Sequence, residues 1–190
     1  YSGNQSFKDK GFDLKIKLVN ESYYLPEVAI GWNDLAGTGK FAAEYIAASK
    51  KIYDLDFTVG IAWGALGQDK NLSNPFINLD EDFRSRNADI GQGGSFNYKS
   101  WFSGEEASIY SGVEYYLWRY GMVLKIEYDT SNPDVSFSGP KLDVDSRFNI
   151  GLIKPMNENL SLGLSFERGN EFRFSFDLKG DYGKRPLVKK

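Results

Sequence analysis

Residues 55–64 read LDFTVGIAWG, and their alternation decides the fold class. Every second position carries a large apolar side chain, and the positions between them carry small or polar ones. The apolar set is Leu55, Phe57, Val59, Ile61 and Trp63. A period of two over ten residues is that of a β-strand, because a helix repeats every 3.6 residues. The stretch therefore predicts a strand with one apolar and one polar face.

The same alternation recurs along the rest of the chain. Further strands are predicted at 11–19, 26–33, 40–50, 106–117, 121–129, 146–153, 160–167 and 171–179. The Ala-rich stretch 40–50 leaves a helix open as an alternative, and 95–102 is the best candidate for a tenth strand. Several segments exceed the five or six residues usual in globular proteins. They match the nine to eleven residues with which a tilted strand crosses a bilayer.

The composition removes whole classes of chemistry. The 190 residues include no Cys and no His, which excludes disulfide scaffolds, thiolate zinc sites and Ser-His-Asp triads. With 23 basic and 26 acidic residues, the net charge of −3 gives no basic field for nucleic acid. Mean hydropathy is −0.45, and no apolar run is long enough for a transmembrane helix. We predict no metal, no cofactor and no catalytic residue, and therefore a protein that is not an enzyme.

The lengths of the connections favour one architecture. Short links are expected at 51–54, 119–120 and 154–159, whereas the links at about 65–105 and 130–145 are long. The long links then all leave the same end of the sheet, as in outer-membrane barrels. We predict an all-β fold, an antiparallel up-and-down transmembrane β-barrel of about 8–10 strands. Residues 1–190 would form one barrel domain or part of a larger barrel, with a partly structured loop at 65–105.

Three motifs suggest chemistry that their surroundings do not favour. The sequence GTGK at 37–40 resembles part of a phosphate-binding loop, but Phe41 stands where Ser or Thr is required, so a turn between strands is preferred. The acidic runs 80–82 and 105–106 show no pairing typical of glycosidases. Calcium binding by 78–87 is disfavoured by the interposed arginines Arg84 and Arg86.

Two groups of residues are candidates for binding a ligand. In the long loop, aromatic and cationic side chains occur together, and the selected residues are Arg84, Arg86, Trp101 and Phe102. On the predicted polar faces, the selected residues are Lys40, Glu44, Asp56 and Glu114. Such residues could stack against sugar rings and bind their hydroxyl groups. The alternative is that the rings pack the loop against the sheet and the charges form cross-strand ion pairs.

A family resemblance is most specific over residues 26–67 and extends to about residue 130. The matching positions are Ile30-Gly31, Asp34, Gly37-Thr38-Gly39, Glu44-Tyr45, Ser49-Lys50, Leu55-Asp56-Phe57, Gly60 and Trp63-Gly64. In these residues the chain resembles the YjbH family of exopolysaccharide and capsule proteins in Gram-negative bacteria.

The resemblance implies a place in the bacterial outer membrane and a non-enzymatic part in polysaccharide export or assembly. The implied partners are outer-membrane lipid, polysaccharide, other proteins of an export system and further barrel strands. A structural barrel that anchors a larger complex is the alternative role. A soluble β-barrel that binds an apolar ligand is the alternative class, because alternation alone does not show which face meets water.

Overall fold

The structure is a computed structural model that describes residues 11–37, 39, 41–87, 98–131 and 143–180. Within these residues the fold is all-β, with three short 3-10 helices at Pro75–Asn78, Glu81–Arg84 and Tyr98–Ser100. The strands are β1 (Phe12–Val19), β2 (Glu27–Leu35), β3 (Ala43–Ile52), β4 (Leu55–Gly64), β5 (Leu72–Ser73), β6 (Glu106–Leu117), β7 (Met122–Tyr128), β8 (Phe148–Pro155), β9 (Leu160–Glu167) and β10 (Glu171–Leu178). In the part of the chain that the structure describes, no helix combines the length and apolar character required to cross a membrane.

The strands form one antiparallel up-and-down sheet. Nine strands pair in the order β1-β2-β3-β4-β6-β7-β8-β9-β10, and the short β5 pairs with the start of β6. All nine strands predicted from alternation are confirmed, including 40–50, where a helix had remained open. The tenth strand is β5 rather than 95–102. Residues 98–100 form a 3-10 helix, and 95–97 lie outside the described residues.

One face of this sheet is apolar and largely exposed. Directly paired positions place five isoleucines in a row across five strands: Ile16, Ile30, Ile46, Ile61 and Ile109. On β4, Phe57 and Val59 are 41% and 51% exposed. In a soluble sandwich this face would be covered by a second layer, so its exposure reverses the usual arrangement.

The opposite face is polar and more enclosed. Gly60 and Ala62 are buried on this side of β4, and Ser108 of β6 lies directly opposite Ala62. Polar-face residues from β2 to β7 line a concavity of about 710 Å³, which shows that the sheet curls around this face. The small side chains on β4 allow this curvature, because they leave room for neighbours across the sheet.

The expected closed barrel is not formed by the described residues. β1 and β10 each pair on one side only, so the sheet has two open edges. The physical reason lies in the number of strands in the paired path. After nine alternating strands, β1 and β10 run in the same direction, whereas antiparallel closure needs an even number.

The two ends of the sheet differ as the connection lengths predict. Short turns join β3 to β4, β6 to β7 and β8 to β9, and the long connections leave the opposite end. Exposed aromatic side chains gather around the short-turn end: Tyr23, Tyr24, Tyr53, Trp118 and Tyr120. At the other end Trp63 is fully buried rather than exposed, because the long connection after β4 folds over it.

Candidate functional site

A buried carboxylate marks the end of the sheet where the long connection attaches. Glu44 of β3 pairs directly with Trp32 of β2 on one side and with Trp63 of β4 on the other. Paired residues in a sheet share a face, so Glu44 lies on the apolar face. The prediction that it belongs to the polar face is wrong. Its side chain is only 3% exposed, which requires a partner for the charge.

Arg86 provides that partner from the long connection. Its Nη1 and Nη2 donate to the two carboxylate oxygens of Glu44 at 2.7 and 3.0 Å. The same guanidinium donates to the carbonyl oxygens of Ser100 and Ala42 at 3.0 and 3.3 Å. The backbone N–H of Phe102 donates to Glu44 Oε2 at 3.0 Å. The ion pair and this backbone hydrogen bond thus join β3 to both described parts of the connection, 65–87 and 98–105.

An aromatic cluster surrounds the ion pair. The ring of Trp63 stacks on Phe76 with centroids 5.4 Å apart and an interplanar angle of 8°. Phe102 meets Trp63 edge-on at 5.3 Å, and Trp101 contacts Trp32 at 5.4 Å. Four of the predicted site residues, Glu44, Arg86, Trp101 and Phe102, therefore come together. Glu44 is buried, and the other three are half-buried. These four residues fasten the connection to the sheet, and we refer to them as the lock.

The sequence reasoning missed the residue that organises the connection itself. Asn74 is 2% exposed, and its Nδ2 donates to the carbonyl oxygens of Phe83, Phe102 and Gly104 at 2.9 to 3.3 Å. Its Oδ1 accepts from the N–H of Phe76 at 3.1 Å, which caps the first 3-10 helix. The pair Asn74-Pro75 is the available signal, because Asn before a Pro-initiated helix is a typical cap.

Arg84 takes no part in the lock. Its side chain is half exposed and pairs with Glu81 three residues earlier. The hydrogen bond from the Arg84 guanidinium lowers the pKa of the Glu81 carboxyl below its usual value. The acidic residues of 80–82 serve this short helix, since Asp80 Oδ1 accepts from the N–H of Asp82 at 2.9 Å. Lys40 lies outside the described residues.

The other two predicted residues lie together on the polar face. Asp56 of β4 is directly opposite Glu114 of β6, and Glu114 is directly opposite Lys125 of β7. Lys125 forms an ion pair with Glu114. All three line the 710 Å³ concavity. The Glu114–Lys125 pair is thus a cross-strand ion pair of the kind expected, whereas Asp56 lies opposite a second carboxylate.

Tyrosines of the same concavity were not selected from the sequence. Tyr45 of β3 and Tyr110 of β6 both line it. The pairing of Tyr45 with Gly31 and Ala62 puts it on the polar face. Hydroxyls, carboxylates and one ammonium thus face a common space, which suits hydrogen bonding to a polar ligand.

These features define an all-β antiparallel protein whose apolar face is exposed and whose polar face lines a concavity. The chain belongs to the YjbH family, since the family model described as "Exopolysaccharide biosynthesis protein YbjH" matches residues 1–190. It is 42% identical over 182 residues to the "Uncharacterized lipoprotein YjbH" of Escherichia coli (strain K12). That match covers 96% of this chain and 26% of the relative, so the chain spans about a quarter of the relative's length. No solved structure matches the chain.

Proposed function

We propose that this chain forms part of an outer-membrane β-barrel that takes a non-enzymatic part in exopolysaccharide export or assembly. The observation that carries the proposal is the reversed arrangement of the two faces. Phe57 and Val59 are more exposed than Thr58 and Gly60 on the same strand. A strand between lipid and a polar interior requires that pattern.

Further features support a place in the membrane. The isoleucine row runs across the middle of the exposed face, and aromatic side chains surround the short-turn end. Tyrosine and tryptophan concentrate at membrane–water interfaces because their rings are apolar and their tips polar. The relative's name identifies it as a lipoprotein, which supports membrane association for this chain as well.

The polar face supplies the surface that would contact polysaccharide. Several of its charged residues are paired, such as Lys125 with Glu114 and Arg173 with Glu167 at 2.9 Å. Paired charges hold their positions and still offer free lone pairs to sugar hydroxyls. Outer-membrane lipid, polysaccharide and other proteins of the export system are the proposed partners.

The test is to measure which face of β4 meets lipid. Spin labels would be attached to Phe57→Cys and Thr58→Cys in the full-length protein, reconstituted in vesicles. We expect oxygen, which concentrates in lipid, to relax the label at 57, and a water-soluble nickel chelate to relax the label at 58. A label at 57 that responds to the nickel chelate and not to oxygen would rule out the membrane assignment.

A structural anchor is the second candidate function. It is favoured by the Glu44–Arg86 lock, which fastens the long connection over one end of the sheet. Cells that carry Asp56→Asn, Glu114→Gln and Lys125→Gln together would distinguish the two candidates. If the chain takes part in export, cells with the triple variant should carry less surface polysaccharide while the protein is present at its normal level. Unchanged polysaccharide, in a strain where deleting the gene abolishes it, would favour the anchor.

A further inference from the structure

Two tyrosine rings lie against the backbone of the polar face. A Cβ added to Gly60 would lie 2.3 Å from Cζ of Tyr110, and one added to Gly31 would lie 2.2 Å from Cζ of Tyr45. Each ring therefore occupies the space that a larger residue in place of Gly60 or Gly31, on the neighbouring strand, would need for its side chain. The two rings rest on the sheet and line the concavity together.

The two tyrosines thus bring aromatic surfaces to the wall of the concavity. Gly31 and Gly60 leave room for these rings, because neither has a side chain that competes for the space. Pyranose rings stack on such surfaces through their C–H bonds, because the face of an aromatic ring is negative. The volume of about 710 Å³ is within the range of ligand-binding clefts, roughly 300–1,000 Å³.

Carboxylates line the same concavity. Among the described residues that line the concavity, five are acidic and one is a lysine. The acidic residues are Glu27, Asp56, Glu114, Glu127 and Asp129. Lys125 is already paired with Glu114, and Lys17 on the same face is paired with Glu27 at 2.6 Å. The concavity that the tyrosines line is therefore negative.

We infer that Tyr45 and Tyr110 form a saccharide-binding subsite that prefers sugars with free amino groups and disfavours uronic acids. The inference rests on the proposed function and names the class of sugar that its polar face takes. A protonated amine is attracted both by the carboxylates and by the aromatic faces. A uronate would place a like charge beside Asp56 and Glu114 in a partly enclosed space.

The test is calorimetric titration of the full-length protein in detergent with three hexasaccharides. These are a glucosamine hexamer, its fully N-acetylated counterpart and a galacturonate hexamer, at a pH where the amines are protonated. We expect the glucosamine hexamer to bind about tenfold more tightly than the N-acetylated one, because its protonated amines are attracted by the aromatic rings and the carboxylates. The galacturonate hexamer should bind most weakly. Tightest binding of the galacturonate would overturn the inference.

Variants locate the subsite on the tyrosines. Tyr110→Leu should weaken binding of the glucosamine hexamer about tenfold. Tyr115→Leu, on the same strand but on the apolar face, should leave binding unchanged. Gly60→Ala keeps the ring but displaces it, and should weaken binding as well. Circular dichroism would verify the strand content of each variant, and unchanged affinity in both folded polar-face variants would contradict the assignment.

The outcomes separate this inference from the proposed function. If no hexamer binds while the label at Phe57 reports lipid, the subsite is absent and the membrane role stands. If the label at Phe57 reports water, the membrane role fails whatever the sugars do.

Discussion

Glu44 on β3 and Arg86 in the long connection, 42 residues apart, form a buried ion pair with N–O distances of 2.7 and 3.0 Å. The pair lies between two tryptophans on a face that is otherwise exposed. It attaches the part of the long connection near Arg86 to β3, and it is the first target for mutation.

Arg86→Gln should destabilise the protein by about 3–5 kcal/mol, because the Glu44 charge would remain buried without a counterion. Urea unfolding followed by tryptophan fluorescence would measure the change, since Trp32, Trp63 and Trp101 surround the pair. Arg84→Gln is the matched control. Its half-exposed pair with Glu81 should be worth about 1 kcal/mol or less. Equal losses in the two variants would show that the lock does not stabilise the fold.

Asn74→Asp should loosen the connection without unfolding the sheet. The substitution places a carboxylate oxygen against the carbonyl oxygens of Phe83, Phe102 and Gly104, and removes their donor. We expect a cost of about 1–3 kcal/mol, the usual penalty for unsatisfied buried polar groups. Limited proteolysis should cut the 65–105 segment faster than in the parent protein. Ser73→Ala, at an exposed neighbouring position, should leave the cleavage rate unchanged.

Val59→Lys should impair insertion into vesicles, whereas Thr58→Lys should not. If the apolar face meets lipid, as proposed, a lysine at position 59 costs about 2–4 kcal/mol near the middle of a bilayer, while the polar face can solvate one at position 58. Folding yields in vesicles, read from the β-sheet signal in circular dichroism, provide the comparison. A larger loss for Thr58→Lys than for Val59→Lys would argue that the faces are assigned the wrong way round.

Gly64→Ala should be far more costly than Gly112→Ala. Gly64 has φ of +66°, and an added Cβ would lie 2.3 Å from the carbonyl oxygen of Ala42. The left-handed backbone alone costs about 1–2 kcal/mol in other residues, before the clash is counted. At Gly112 the nearest atom to an added Cβ is at an ordinary 3.5 Å. Thermal unfolding midpoints should fall by several degrees for the first variant and little for the second.

The strands were predictable because their alternation is local. The bounds 55–64, 106–117 and 160–167 agree with the structure at both ends, since each strand is delimited by a change of pattern or a turn. The fold over 40–50 was also predictable, but its orientation was not. Its many alanines fit either face. The pairing of Glu44 with Trp32 and Trp63 shows which residues of this strand lie on the apolar face.

The site was predictable in part and for the same reason. Arg86, Trp101 and Phe102 were selected for their chemistry, and they do converge with Glu44. These residues hold the connection in place and are not open to a ligand. That role depends on contacts between residues far apart in sequence, which the sequence pattern does not reveal. Tyr110 carries no local signal either, since its position depends on Gly60 of the adjacent strand.

The odd number of strands in the paired path of the described residues constrains how two copies of this sheet can meet. Suppose, as proposed, that two copies lie in one membrane with their short-turn ends on the same side. Their β1 and β10 edges all point the same way, so contacts between such copies would be parallel. An antiparallel contact would require one copy to be inverted across the bilayer, which a membrane with a fixed inside and outside does not offer. Antiparallel pairing at the open edges therefore calls for a strand of opposite direction and not for a second copy of this sheet.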